Sequence, residues 1–250
     1  VHTKFIPDYN NIIPTKPYTE DLLGLPVINI RYVPLTNTFN AVVKRLMDIF
    51  GSIVAIILFS PIMLFAVIMI KLTSPGPLIY KQERVGLHNH TFMMYKFRTM
   101  YVQTEEEEKK GWTQKNDPRV TKVGGFLRKT SLDEFPQLFN VLKGDMSLVG
   151  PRPALWNQYD LLKEREKYGA NDVLPGLTGW AQIHGRDTIS ISEKAKLDGY
   201  YVEHQSTWMD LKCLFLTVLA VLRRDGVQEG AEKKVNDTPL VSVIMATYRR

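Results

Sequence analysis

Cysteine is nearly missing from this chain: Cys213 is the single thiol in 250 residues. One cysteine excludes an internal disulfide and a cysteine-based zinc site, and its place in an apolar run predicts a buried thiol. Acidic residues are fewer than basic ones, 26 against 32, and the formal net charge is +6. That balance favours an anionic partner, whether phosphate ligand, acidic lipid or nucleic acid. No aromatic-basic platform, zinc pattern or helix-turn-helix pattern accompanies it, so nucleic acid is not expected. Long uncharged runs are scarce too. With 44% apolar residues and a mean hydropathy near zero, the composition excludes a polytopic membrane protein and a disordered chain. Internal repeats are absent. The length allows one substantial domain with smaller appendages.

The one long apolar run is Ile49 to Ile70, 22 positions without a charge. A straight helix of that length covers about 33 Å, enough to span a bilayer. Ser60-Pro61 sits at its centre, where proline removes a backbone donor and opposes the preceding turn. Two readings stand on these residues: a spanning helix with a kink, or a re-entrant hairpin over 44–71 broken at Ser60 and Pro61. Lys44 and Arg45 before the run and Lys71 after it favour the hairpin, because both flanks then carry the positive charge of a cytoplasmic face. Ser60 is placed to meet a backbone group freed at the break.

Residues 1–40 contain Pro7, Pro14, Pro17, Pro26 and Pro34 and read as the tail of a preceding domain plus a linker. Leu78 to Lys81 and Thr91 to Phe97 suggest a β-hairpin around a Gly86/Asn89 turn. Tyr159 to Tyr168 reads as a charged helix. Thr207 to Arg224 reads as a helix with Trp208, Leu211, Phe215, Leu219 and Leu222 on one side, suited either to a membrane interface or to core packing. His184 and His204 are taken as structural.

The densest chemistry lies in Arg128-Lys129-Thr130-Ser131-Leu132-Asp133-Glu134-Phe135-Pro136-Gln137. Proline fits the first turn of a helix and little further in, so a helix is expected from Asp133 to Leu142, with Asp133 at or near its N-cap. Free N–H groups there favour anions. Asp133 is then either an ordinary capping residue or, with Glu134 and the neighbouring cations, part of a phosphate site with a divalent metal. Between Lys71 and Arg152 there are fourteen Lys and Arg against nine Asp and Glu, so the basic excess gathers around this segment.

The blocks KRLMDIFGS…SP, SPGPLIYKQERVG, YKFRTM, RKTSLDEFPQLFNVLKGDMSLVGPRP and LPGLTGWAQIHGR resemble, in order, the bacterial sugar transferase family of monotopic phosphoglycosyl transferases. The likeness covers residues 41–226. It implies an α+β, mainly helical fold: a monotopic membrane domain with an N-terminal re-entrant helical hairpin, a small β-hairpin and interfacial amphipathic helices. It implies transfer of a phospho-sugar from a UDP-sugar to undecaprenyl phosphate, releasing UMP, on the cytoplasmic face of the bacterial inner membrane. That reaction initiates exopolysaccharide, O-antigen or glycoprotein glycan assembly, with downstream glycosyltransferases as possible partners. By the same resemblance, Asp133 is the nucleophile forming a covalent phospho-sugar intermediate. Glu134 is its partner, both carboxylates are ligands of Mg²⁺, and Lys96, Arg128 and Arg152 contact phosphate or nucleotide. The final PLVSVIMATYRR, within 227–250, resembles the opening of a GT-A glycosyltransferase domain. The contrasting hypothesis is a non-catalytic membrane-bound module of a glycan-assembly complex, which has no need of the Asp133-Glu134 pair.

Overall fold

The structure, a computed structural model, describes residues 18–22, 25–29, 34–102, 117–185 and 189–223. The expected GT-A opening and most of the expected N-terminal tail lie outside these residues. Of that tail, β1 (Tyr18–Leu22) and β2 (Leu25–Asn29) form an antiparallel pair.

The apolar run is one helix, α1 (Thr38–Thr73). Asn37 caps it, its side-chain oxygen accepting from Phe39 N at 2.9 Å. The helix is continuous through Pro61, so Ser60-Pro61 does not divide it into two helices. Pro61 has no N–H to give the Ile57 carbonyl, and Ser60 Oγ donates to that oxygen instead, at 2.8 Å. By length and composition α1 can cross a membrane.

One stripe of α1 packs against the rest of the protein on both sides of Pro61. Ala55 and Ile56 join a core built on Met94, Leu138, Val141, Met146, Leu148 and Val202. Met63, Ala66, Val67 and Ile70 join a second cluster with Phe97 and Leu127, and Phe59 meets the Phe135 ring at 4.9 Å. These positions recur at helical spacing. Phe50, Ile57, Leu64 and Phe65, on the other faces, stay exposed. Beside the stripe, Lys44 Nζ lies 3.0 Å from Asp48 Oδ1 and 2.7 Å from Asp210 Oδ2, while Leu148 N donates to Asp48. This buried cluster ties the start of α1 to the C-terminal helix.

Strands β3 (Ile79–Val85) and β4 (Thr91–Phe97) form the expected hairpin, in antiparallel register from Ile79↔Phe97 to Val85↔Thr91. Its first strand runs four residues beyond the predicted end at Lys81, and His88 and Asn89 turn the chain with positive φ. After it come α2 (Lys122–Lys129), a 3₁₀ turn (Leu132–Glu134) and α3 (Gln137–Lys143). Strand β5 (Ser147–Val149) follows and pairs in parallel with β6 (Gly176–Thr178), between which lies α4 (Tyr159–Glu166). The last helices are α5 (Trp180–Ile183), α6 (Ile191–Glu203) and α7 (Thr207–Arg223).

Two sequence expectations change here. The helix predicted from Asp133 begins at Gln137, because Pro136 has no N–H to continue the ladder from the 3₁₀ turn. Gly144 ends it in the left-handed region at φ 99°, as its position after Lys143 suggests. Of the apolar side expected on α7, Trp208, Leu211 and Phe215 face outward and Leu219 is half-buried, while Met209, Asp210 and Cys213 face the core.

Candidate active site

Three segments converge on one carboxylate. Lys96 comes from the end of β4, Glu134 from the 3₁₀ turn and Arg152 from the loop after β5. Lys96 Nζ lies 3.0 Å from Glu134 Oε1, and Arg152 Nη2 lies 2.7 Å from the same oxygen. Arg152 Nη1 is 3.5 Å from Oε2, so the guanidinium straddles the carboxylate. The Glu134 side chain is only 12% exposed, which sets these contacts apart from ordinary surface ion pairs.

Asp133 behaves differently. It is not an N-cap: Ser131 precedes the 3₁₀ turn and Pro136 precedes α3, and neither helical start is capped by a side chain. Among the described residues no hydrogen bond or ion pair holds the Asp133 carboxylate. Burial, and then the charge of Glu134, push its pKa up to about 6, against the pull of Lys96, Arg128 and Arg152. The adjacent carboxylates therefore split: Glu134 gives Oε1 to two cations, and Asp133 is left for other work.

The local backbone produces this split. Ser131, between α2 and the 3₁₀ turn, sits in the left-handed region at φ 55°, a conformation costing about 1 kcal/mol for a residue with a side chain. Arg128 occupies the last turn of α2, and its Nε donates to Thr99 Oγ1 at 2.8 Å. That approach depends on Gly124, where a Cβ would fall 1.9 Å from the Thr99 carbonyl oxygen.

Arg84, on β3, is a cation that sequence reading missed. Its Nη2 lies 2.8 Å from Gln82 Oε1 and its Nη1 donates to Pro153 O at 3.3 Å. Burial, and next the charge of Arg152, push its pKa down to about 10, while Glu134 and Tyr80 push it up. Period-two alternation puts Arg84 on the face of β3 shared with Tyr80, which pairs with Lys96. That signal was available in YKQERVG. The site thus gathers Lys96, Arg84, Arg128 and Arg152 around two carboxylates, a surplus of positive charge suited to a polyanion. His184 and His204 stay apart from it, their Nδ1 atoms against the carbonyls of Trp180 and Tyr200.

The donor set fits a hard divalent cation. Mg²⁺ takes one or two carboxylates and completes its shell with phosphate and water oxygens. Adjacent carboxylates on one turn can supply the protein's share, and a cation there would offset the Glu134 charge that, after burial, raises the Asp133 pKa. Among the described residues no group of three or more His, Cys, Asp or Glu gathers at one place.

A carboxylate pair among four cations suits chemistry on a polyanion, and α1 is by length and composition able to cross a bilayer. The chain belongs to the bacterial sugar transferase family, which it matches over residues 39–224. It is similar to the "Uncharacterized sugar transferase EpsL" of Bacillus subtilis (strain 168), at 46% identity over 188 residues, 75% of this chain and 91% of that protein. It is 44% identical over 207 residues to the "UDP-glucose:undecaprenyl-phosphate glucose-1-phosphate transferase" of Escherichia coli (strain K12), covering 80% of this chain and 44% of that protein. The "Undecaprenyl-phosphate galactose phosphotransferase" of Salmonella typhimurium is 43% identical over 198 residues, covering 73% of this chain and 41% of that protein. The chain thus spans nearly all of the first relative and less than half of the other two.

Proposed function

We propose that this chain is a phosphoglycosyl transferase that moves the phospho-sugar of a UDP-sugar to undecaprenyl phosphate, through a covalent intermediate on Asp133. One observation carries the reading: Glu134 is paired with Lys96 and Arg152 through Oε1 while Asp133, on the same turn, holds no partner among the described residues. A capping or purely structural aspartate has its oxygens engaged.

An ionised Asp133 oxygen attacks the β-phosphorus of the donor. The bond from that phosphorus to the bridging oxygen breaks, and the oxygen leaves with the α-phosphate as UMP. A phosphate oxygen of undecaprenyl phosphate then attacks the same phosphorus, breaks the acyl phosphate bond and returns Asp133 as a carboxylate. Lys96, Arg84, Arg128 and Arg152 offset the negative charge that keeps a carboxylate from a diphosphate. Glu134 holds two of these cations in place, and Asp133 with Glu134 would hold a Mg²⁺, which would supply Lewis-acid neutralisation of phosphate oxygens.

The membrane arrangement is read as monotopic, with α1 bending at Ser60-Pro61 while staying one helix, so that it re-enters the cytoplasmic face of the inner membrane where the site lies. Both ends of α1 are bound to the same domain. Arg45 donates to the carbonyls of Val141 and Leu142, and Arg98 donates to those of Ser74 and Pro75. A bend at Pro61 lets one helix return both of its ends to the same membrane face.

The test is UMP release from UDP-sugars by the full chain in lipid nanodiscs. Release is expected to require both Mg²⁺ and polyprenol phosphate for turnover and to be abolished by Asp133→Ala and Asp133→Asn. Wild-type turnover in either variant contradicts the assignment.

A further inference from the structure

Arg152 reaches Glu134 from a segment whose backbone is held at four successive carbonyls. Pro151 O accepts from Gly176 N at 2.8 Å and Ala154 O accepts from Val85 N at 2.9 Å. Pro153 O accepts from Arg84 Nη1 at 3.3 Å, and Arg152 O accepts from Arg165 Nη1 at 2.9 Å. Prolines on both sides of Arg152 fix φ there as well.

Arg165 is the least expected of these donors. It lies on α4, only 3% exposed, in a stretch whose sequence reads as a charged helix. Asp198 of α6, 1% exposed, anchors it: Arg165 Nε and Nη2 lie 2.8 and 2.6 Å from Asp198 Oδ2. A buried ion pair is a poor source of stability, since apolar residues of similar volume often serve as well. No apolar pair, however, could donate a hydrogen bond to the Arg152 carbonyl.

We propose that Arg165, anchored by Asp198, is a positioning residue that sets the main chain at Arg152 so that its guanidinium meets Glu134. The chain of contacts runs Asp198, Arg165, Arg152, Glu134, joining α6 to the dyad through two guanidinium groups. Arg165 itself touches no reacting atom. The inference rests on the phosphate-transfer reading of the site.

The test is a double-mutant cycle on the full chain in nanodiscs with Mg²⁺, reading UMP release. Arg165→Lys keeps a cation opposite Asp198 but cannot place donors on both Asp198 and the Arg152 carbonyl. It is expected to lower kcat/KM about tenfold or more, and to cause no further loss once Arg152→Ala is present. Because Arg165 acts only through the Arg152 main chain, Arg165→Lys is expected to change KM and kcat in the same sense as Arg152→Ala does. A loss confined to folding would lower the amount of active enzyme and leave KM in place. Should Arg165→Lys not accumulate as folded protein, the paired replacement Arg165→Met with Asp198→Leu leaves no buried charge unmatched and gives the same comparison.

Wild-type activity in the Arg165 variant, or an equal loss in the Arg152→Ala background, overturns the inference while an impaired Arg152→Ala leaves the reading of the site intact. Full activity in Arg152→Ala itself defeats the reading of the site, and the inference falls with it.

Discussion

Ser60 Oγ donates to the Ile57 carbonyl at 2.8 Å, the acceptor that Pro61 cannot serve. In hydrocarbon an unmatched carbonyl has no water to turn to, so the Ser-Pro pair behaves as one unit: proline weakens the helix at its centre and serine repairs the exposed oxygen. Ser60→Ala is expected to cost about 1 kcal/mol, read as a lower thermal midpoint in nanodiscs. Ser60→Thr, which keeps a hydroxyl, is expected to retain most of the wild-type value.

The topology follows from the two ends of the same helix. Phe39 and Leu72 are both exposed and bracket the apolar run. Cys213 does not compete in labelling, since it is buried and desolvation pushes its thiol pKa up to about 12. Phe39→Cys and Leu72→Cys are both expected to react with an impermeant maleimide in inverted vesicles and neither in intact spheroplasts. Reaction of one from each side establishes a spanning helix.

Arg45 fastens the start of α1 to the last turn of α3 through charge-assisted bonds of 2.6 and 2.8 Å to Val141 O and Leu142 O. Those carbonyls lie in the last turn, at the negative end of the helix, where Val141 O also accepts from Gly144 N at 3.1 Å. Arg45→Ala is expected to destabilise the protein by about 2 kcal/mol, measured by thermal unfolding in detergent, with Arg45→Lys intermediate.

The raised pKa of Asp133 fixes two pH effects of opposite sense. Activity needs the carboxylate ionised, so kcat/KM in the donor is expected to fall as pH drops through about 6. Lys96 pulls that pKa down, so Lys96→Gln moves the acid limb to higher pH. Stability runs the other way. The folded state binds the proton more tightly than the unfolded state does, so this contribution is complete below the unfolded value of 3.8 and is lost as pH rises through about 6. Asp133→Asn is therefore expected to raise the thermal midpoint at pH 8 and leave it nearly unchanged at pH 3, which differential scanning calorimetry reads directly.

Local chemistry made much of this legible in the sequence, and non-local packing supplied the rest. The carboxylate pair, Lys96 and Arg152 stood out in recognisable blocks, and the uncharged run announced α1 by length alone. Nothing in the order Asp133-Glu134 tells which carboxylate takes the cations, because Lys96 and Arg152 approach from 38 and 18 residues away. The helix starts at Gln137 rather than Asp133 because Pro136, lacking an N–H, separates a 3₁₀ turn from α3. Burial of Arg165 is not legible in its charged stretch because its partner lies 33 residues on. A hint existed: Leu161, one turn earlier on the same face, is buried too.

The account turns on covalent attack by Asp133, and mass spectrometry of the protein incubated with UDP-sugar and Mg²⁺, without polyprenol phosphate, tests it most directly. The peptide bearing Asp133 is predicted to gain the mass of one sugar phosphate, to lose it when undecaprenyl phosphate is added, and to remain unmodified in Asp133→Asn. UMP release that occurs only with both substrates present, with no adduct at Asp133, contradicts it.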